Sequence, residues 1–328
     1  MFKIAQLGAG RMGGVHAGNA AAHPALDLAY IVDPRADAAA RLAQATGARV
    51  GTLDQVLADT HVKGVIVASA TDCHLDHVLA AMAAGKAVFC EKPLDLDLAR
   101  LRAAEPHFGP QAPALFVAFN RRFDRHVRAL KTRIDSGVIG NLETLHVVNH
   151  DPESPPAGFI PGSGGLFKDF TIHDLDLAPW LLGEKVVEIF AWASCLVDPE
   201  IGRLGDVDTA KLVLRTGSGR LCTLSNSRRT GYGYDQRIEA FGSKGMARME
   251  NEVQSTVSVW GADGARADAF PYAFMNRYAG AYAAELDHFA QVLAGTAKPE
   301  TGYQASIDAL ALAEAAALSV QTGQPVKL

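Results

Sequence analysis

The segment Gly164-Gly165-Leu166-Phe167-Lys168-Asp169-Phe170-Thr171-Ile172-His173-Asp174-Leu175-Asp176 carries residues suited to moving a proton. Read as a helix, it stacks Asp169, His173 and Asp176 on one face at i, i+4 and i+7. Leu166, Phe170 and Leu177 are then spaced to pack on a core. An imidazole one turn from a carboxylate is a serviceable general base, because the carboxylate fixes the ring and stabilises its cation once a proton is taken. A purely structural Asp–His pair would have the same spacing. The pair could also ligate a metal, but no further His or Cys stands at ligand spacing, so no metal is expected. A second chemical group is Lys92 in Cys90-Glu91-Lys92-Pro93-Leu94, whose ammonium could stabilise a developing negative oxygen. The proline removes a donor and fixes one torsion, and the bond before it could be cis. A surface lysine ahead of a helix is the plainer alternative.

Gly8-Ala9-Gly10-Arg11-Met12-Gly13 follows an apolar run and opens a helical pattern. Alone this glycine spacing is weak; after a strand it acquires a mechanism. Gly8 would permit the tight turn, and Gly10 would let backbone approach a pyrophosphate. Gly13 would let the helix pack closely, its amino end facing the phosphates. Arg11 and Met12 lie in the same turn. The next apolar run ends at Asp33, twenty positions beyond Gly13, where a carboxylate can accept from both ribose hydroxyls and repel a 2′-phosphate. That favours NAD over NADP. Arg35 tempers the preference, since it could serve a 2′-phosphate or stack on adenine. Further along, Ser69-Ala70-Thr71-Asp72 and His74 follow another strand end. With Glu91 and Lys92 they fall on the edge where ribose and nicotinamide should sit, although His74 could equally be a plain helix-start residue.

These residues need strand ends and a helix to hold them, and the pattern supplies both. Apolar runs at Phe2–Leu7, Leu28–Val32, Val65–Ala68, Ala87–Cys90 and Leu115–Phe119 alternate with helical patterns near Val15–Ala22, Ala36–Thr46, His74–Ala84 and Leu96–Phe108. Continuous apolar strands alternating with helices indicate a Rossmann-type, doubly wound parallel sheet covered on both faces. After about Asn120 the pattern changes. A helix at Asp124–Ser136 ends at Gly137, and strands then dominate near Leu142–Asn149, Val186–Leu196, Thr209–Arg215, Leu221–Ser227, Gln236–Gly242, Ala247–Glu250 and Ser255–Trp260. Turn signals separate close neighbours, which predicts a large, mostly antiparallel sheet in an α+β domain. Helices near Asn276–Ala294 and Tyr303–Val320 finish the chain. The expected division is 1–120 for cofactor binding and 121–328 for substrate binding and oligomerisation, with the terminal helices free to pack back on the first domain.

The run Val186–Leu196 is apolar on both faces: Val187, Ile189, Ala191, Ala193 and Cys195 on one, Val186, Phe190, Trp192 and Leu196 on the other. Such a strand hides one face under its own helices and the other under an intrachain cover or a second subunit. Asn149, His150 and Asp151 are further polar candidates, read here as turn residues. Composition narrows the classes. The 328 residues are 48% hydrophobic and 20% charged, with a net charge of −5. No cluster of Lys and Arg marks a nucleic-acid or anionic-membrane surface, and no stretch has the apolar length of a membrane span. Cys73, Cys90, Cys195 and Cys222 form no CxxC pair, which suits free thiols in a reducing cytoplasm.

Taken together, the chain resembles the glucose–fructose oxidoreductase/inositol dehydrogenase superfamily over nearly its whole length. The glycine motif and Glu91-Lys92-Pro93 are shared across that superfamily. More specific to its inositol dehydrogenase branch are Phe119-Asn120-Arg121-Arg122-Phe123-Asp124, the Asp169–His173 segment, and Ser225-Asn226-Ser227-Arg228-Arg229 followed by Tyr232-Gly233-Tyr234-Asp235. The resemblance implies NAD-dependent oxidation of myo-inositol to scyllo-inosose in a homotetramer. It casts Lys92, Asp169 and His173 as the catalytic lysine, aspartate and histidine, with Arg122 (or Arg121) and Tyr234 contacting the polyol. Ala70 is a mild departure, since many relatives place proline there. Another polyol or sugar, or a regulator that has lost its chemistry, would use the same fold.

Overall fold

A computed structural model describes residues 1–328. The chain clusters into two units, Met1–Phe123 with Gly280–Leu310 and Asp124–Ala279 with Ala311–Leu328.

In the first unit the apolar runs become β1 (Phe2–Leu7), β2 (Leu26–Val32), β3 (Arg49–Val50), β4 (Gly64–Val67), β5 (Ala87–Glu91) and β6 (Leu115–Ala118). All pair in parallel, in the order β3-β2-β1-β4-β5-β6. This is the doubly wound order, with its reversal at β1/β4. Strand β4 is buried at every position, as a strand covered on both faces must be. Between the strands run α1 (Arg11–Ala22), α2 (Ala36–Thr46), α3 (Leu53–Ala58), α4 (His74–Ala83) and α5 (Leu98–Ala103). Gly47 closes α2 in the left-handed conformation that only glycine adopts freely. The pattern missed β3 and α3, which are too short for a period to show. It also overextended α5: Pro106, which has no N–H to donate, limits the rest to a 3₁₀ turn at Glu105–Phe108. Helix α11 (Ala279–Leu293), whose residues from Gly280 cluster here, sets Phe289 edge-on to Phe89, which stacks on Phe116.

The second unit holds α6 (Arg125–Asp135), β7 (Leu142–His150), α7 (Ile160–Ser163), α8 (Ile172–Leu182), β8 (Val186–Ser194), α9 (Pro199–Arg203), β9 (Thr209–Thr216), β10 (Leu221–Ser227), β11 (Asp235–Gly242) and β12 (Gly245–Met249). A hairpin follows, β13 (Ser258–Gly261) and β14 (Gly264–Ala267), then α10 (Phe274–Arg277). The chain ends with α12 (Tyr303–Thr322) and β15 (Val326–Lys327). The sheet order is β12-β11-β7-β10-β9-β8-β15. Every pair is antiparallel except β7–β10, which is parallel. The predicted single strand at Ser255–Trp260 is instead that separate hairpin, because Gly264, at φ +106°, turns the chain back.

The inner face of this sheet packs Leu145, Val147, Ile189, Leu212, Leu214 and Leu224 against Leu175, Ala178, Leu181 and Leu182 of α8 and Leu312, Ala313 and Ala316 of α12. On the outer face Trp192, Val213, Leu221, Phe241 and Met246 are exposed. The expected two-faced character of β8 is present, with one change. A bulge between Val186 and Glu188 breaks the alternation, so Val186 is buried and Val187 exposed, the reverse of their predicted partners on each face.

Candidate active site

The carboxyl edge of the first sheet is built around close backbone approaches. Gly8 sits at φ +102°, and a Cβ there would lie 2.1 Å from the Ala68 carbonyl oxygen. A Cβ on Gly13 would lie 2.4 Å from the Gly8 carbonyl oxygen, whereas one on Gly10 would meet nothing within 4 Å. Gly8 and Gly13 are therefore required by the fold, and Gly10 leaves room at the start of α1, where backbone N–H groups favour phosphate. Gln6 Nε2 braces the loop by donating to the Gly8 oxygen at 2.9 Å and the Gly13 oxygen at 2.7 Å. Asp33 stands just beyond β2. One carboxylate oxygen accepts from Ala9 N at 2.7 Å and the other from Arg35 N at 2.9 Å. Burial alone would raise its pKa, but those bonds outweigh it and hold the carboxyl below its ordinary range. Arg35 pairs with Asp33 and is otherwise exposed, as are Arg11 and Gly10, while Met12 is half-buried. These groups fit a dinucleotide: a tight turn, an open approach for pyrophosphate, and an ionised acceptor at ribose distance along the chain.

Ser69 and Thr71 are half-buried and Ala70 exposed beyond β4. His74 is 2% exposed, with Nδ1 2.8 Å from the Pro93 oxygen and Nε2 3.2 Å from the Ser69 oxygen. Burial pushes its imidazole below its ordinary range, so the neutral ring donates through the shorter Nδ1 bond. Its Nδ1 bond ties the helix after β4 to Pro93. The Lys92–Pro93 bond is cis. Glu91 is buried as well: it accepts from His16 Nε2 at 2.6 Å and from Lys92 N at 3.2 Å, so it serves the interior of the unit. Lys92 itself is half-buried. Of the two adjacent arginines after β6, Arg121 is buried and Arg122 half-buried, which makes Arg122 the one able to meet solvent or a polyol.

In the second unit the Asp169–His173 segment departs from the uniform helix expected. Phe167–Thr171 forms a π turn that leads into α8. Such wide turns recur at functional sites because they re-aim side chains. Asp169 and His173 are both half-buried, whereas Asp176 is buried with the rest of α8. The predicted three-residue face is thus a pair, since α8 is buried nearly all round. Arg228, 2% exposed at its side chain, brings Nη2 to 3.7 Å from Asp169 Oδ2 and 4.0 Å from Asp206 Oδ2. A buried cation beside Asp169 offsets its charge without a close hydrogen bond.

Sequence reasoning missed the polar core beneath this pair. Asp174 is fully buried, and its Oδ2 accepts from Asn226 Nδ2 at 2.8 Å and Asn149 Nδ2 at 3.0 Å. Thr171 donates to Asn226 Oδ1 at 2.8 Å. Tyr234, 2% exposed, donates its hydroxyl to Asn149 Oδ1 at 3.0 Å. Asn149 and His150 are therefore strand residues of β7 rather than turn residues. A signal was present: Phe170, Asp174, Leu177 and Leu181 form one i, i+4, i+7, i+11 stripe, and an acid in an apolar stripe needs partners.

Comparison with known proteins accords with this construction. Residues 2–107 match the oxidoreductase family model with an NAD-binding Rossmann fold, and residues 127–248 match the GFO/IDH/MocA C-terminal domain. The chain is 40% identical, over 98% of its length and 98% of the relative's, to an inositol 2-dehydrogenase of Rhizobium meliloti. It is also 40% identical, over 100% of its length and 98% of the relative's, to a myo-inositol 2-dehydrogenase of Thermotoga maritima. A solved myo-inositol dehydrogenase from Corynebacterium glutamicum superposes with a TM-score of 0.95 at 40% identity, covering 100% of this chain and 99% of that one. The chain belongs to the GFO/IDH/MocA family of NAD-binding oxidoreductases.

Proposed function

We propose that the protein oxidises myo-inositol at one ring carbon to scyllo-inosose, with NAD as acceptor, His173 as base and Lys92 as oxyanion stabiliser. The observation that carries the reading is 40% identity across essentially the full chain to two inositol dehydrogenases. The half-buried Asp169 and His173 above a fully bonded polar core support it.

Bound NAD supplies the hydride acceptor. Gly8, Gly10 and Gly13 would seat the pyrophosphate, with Arg11 and Met12 flanking it, and Asp33 the adenosine ribose. Ser69, Ala70 and Thr71 would line the nicotinamide end. A secondary alcohol releases hydride only as its hydroxyl proton leaves. His173, oriented by Asp169, takes that proton, a contribution of about 10²–10⁴-fold. Lys92 hydrogen-bonds the same oxygen as negative charge develops on it. Arg122 and Tyr234 pair with the remaining hydroxyls and fix which carbon reacts. Asp33 carries a charge that repels a 2′-phosphate, which sets the preference for NAD over NADP.

The proposal includes a cytoplasmic homotetramer. Four free thiols suit a reducing compartment. The exposed Trp192, Val213, Leu221, Phe241 and Met246 share the outer face of one sheet and suit burial against a second copy. Sedimentation should give a mass of four chains, and Trp192→Glu should lower it.

The test is NADH formation by purified protein with NAD or NADP and a panel of inositol isomers and sugars at matched concentration. Fast turnover of myo-inositol with NAD is expected. Turnover of scyllo-inositol or a sugar alone would overturn the substrate, and NADH binding without turnover of any would overturn the enzyme.

A further inference from the structure

Three ionisable side chains that the mechanism does not use lie buried in the first unit, one of them bonded to the backbone of Lys92. His16 is fully buried on α1, three positions past Gly13. Its Nε2 donates to Glu91 Oε1 at 2.6 Å, since a carboxylate can only accept. The ring is held edge-on by Phe89 at 4.9 Å and Tyr282 at 5.9 Å between centroids, so it has one orientation. The other oxygen of Glu91 accepts the backbone N–H of Lys92 at 3.2 Å. Glu285, fully buried on α11, makes no hydrogen bond through either oxygen. Burial first, and the charge of Glu91 second, push its carboxyl well above the ordinary range, which favours the protonated form. Glu91 is held below its range against its own burial, chiefly by the His16 hydrogen bond.

We infer that His16 and Glu91 are positioning residues for Lys92, joining the helix that begins at the glycine turn to the backbone that carries the lysine. The inference rests on the function proposed above. Glu91 is bonded at both oxygens: one fixes it to α1, the other fixes the amide of the residue whose ammonium must reach the substrate oxygen. Gln6 already locks the glycine turn to the start of α1. The bonds that brace the turn and those that reach Lys92 are therefore joined through α1. Glu285 makes no hydrogen bond, so Glu91 is the carboxylate that links this buried group to Lys92.

Four variants test this: His16→Leu, His16→Gln, His16→Asn and Lys92→Met, each assayed for kcat, for KM of myo-inositol and for NADH affinity by fluorescence. His16→Leu should lower kcat by about 10- to 100-fold, the scale of a small misplacement of a reacting group, with little change in NADH affinity. Gln places an amide nitrogen near the position of Nε2 and should recover most of the rate; Asn, whose nitrogen is shorter in reach, should not. Combined with Lys92→Met, His16→Leu should cause no further loss, because it acts through the lysine. If His16→Leu does not fold, the contrast between Gln and Asn decides, and equal rates would overturn the inference. Full turnover by a folded His16→Leu, or losses that multiply in the double variant, would overturn it too. Full turnover by Lys92→Met would instead strike the proposed function, and this inference with it.

Discussion

The two units each bury a carboxylate among apolar side chains, and they solve the problem differently. In the second, Asp174 accepts from two amides, which are themselves bonded to Thr171 and Tyr234. In the first, Glu91 keeps its charge through His16 and the Lys92 amide, while Glu285, with no donor, keeps its proton. A charge in a low-dielectric interior persists only where donors converge on it; otherwise the group neutralises. The second cluster is thus a rigid floor under Asp169 and His173. The first is a brace beside a carboxyl that has no hydrogen-bond partner.

Removing the central acceptor should separate the two most strongly. Asp174→Leu strands two buried amide donors and should lower stability by about 2–4 kcal/mol, read as a lower urea midpoint at unchanged slope. A loss under half a kilocalorie would mean the floor is not cooperative. Tyr234→Phe removes one hydroxyl bond and should cost about 1 kcal/mol, with a raised KM for myo-inositol. An unchanged KM would take Tyr234 out of substrate contact.

Glu285→Met should have the smallest effect and the opposite sign. The folded-state carboxyl is a weaker acid than its ordinary value of 4.5. Its contribution to stability is therefore fully present below that value and lost as pH rises through the raised one. The variant should match the parent in acid and exceed it increasingly toward alkaline pH, seen as a widening Tm difference. A constant difference across pH would show that the Glu285 carboxyl is no weaker an acid in the folded protein than in the unfolded chain.

How far these features can be read in the chain follows from the same contrast. The parallel sheet, its glycine turn and Asp33 were legible because each depends on residues close in sequence: a strand, a turn and a helix start. Asp169 and His173 were legible for the same reason, although the π turn between them was not, since a side-chain pattern does not encode a single widened turn. The floor beneath them draws Asn149 from β7, Thr171 and Asp174 from the π turn and α8, Asn226 from β10 and Tyr234 from the loop before β11. Only the fold brings these together. What the sequence does display is the anomaly: His16 among Gly13, Ala17 and Ala20, Asp174 among Phe170, Leu177 and Leu181, and Glu285 among Tyr282, Leu286 and Phe289 each interrupt a helical apolar stripe. A polar residue inside such a stripe is a marker for a buried network even when its partners are unknown.

The most direct test of the assignment of base to one unit and cofactor to the other is His173→Asn. NADH affinity and myo-inositol turnover would be measured on the same preparation. A fall in kcat of about 10²–10⁴-fold with NADH affinity unchanged is expected, because the proposed role of the lost group is to take a proton and not to hold the dinucleotide. Turnover near that of the parent protein, or loss of NADH binding in step with activity, would contradict it.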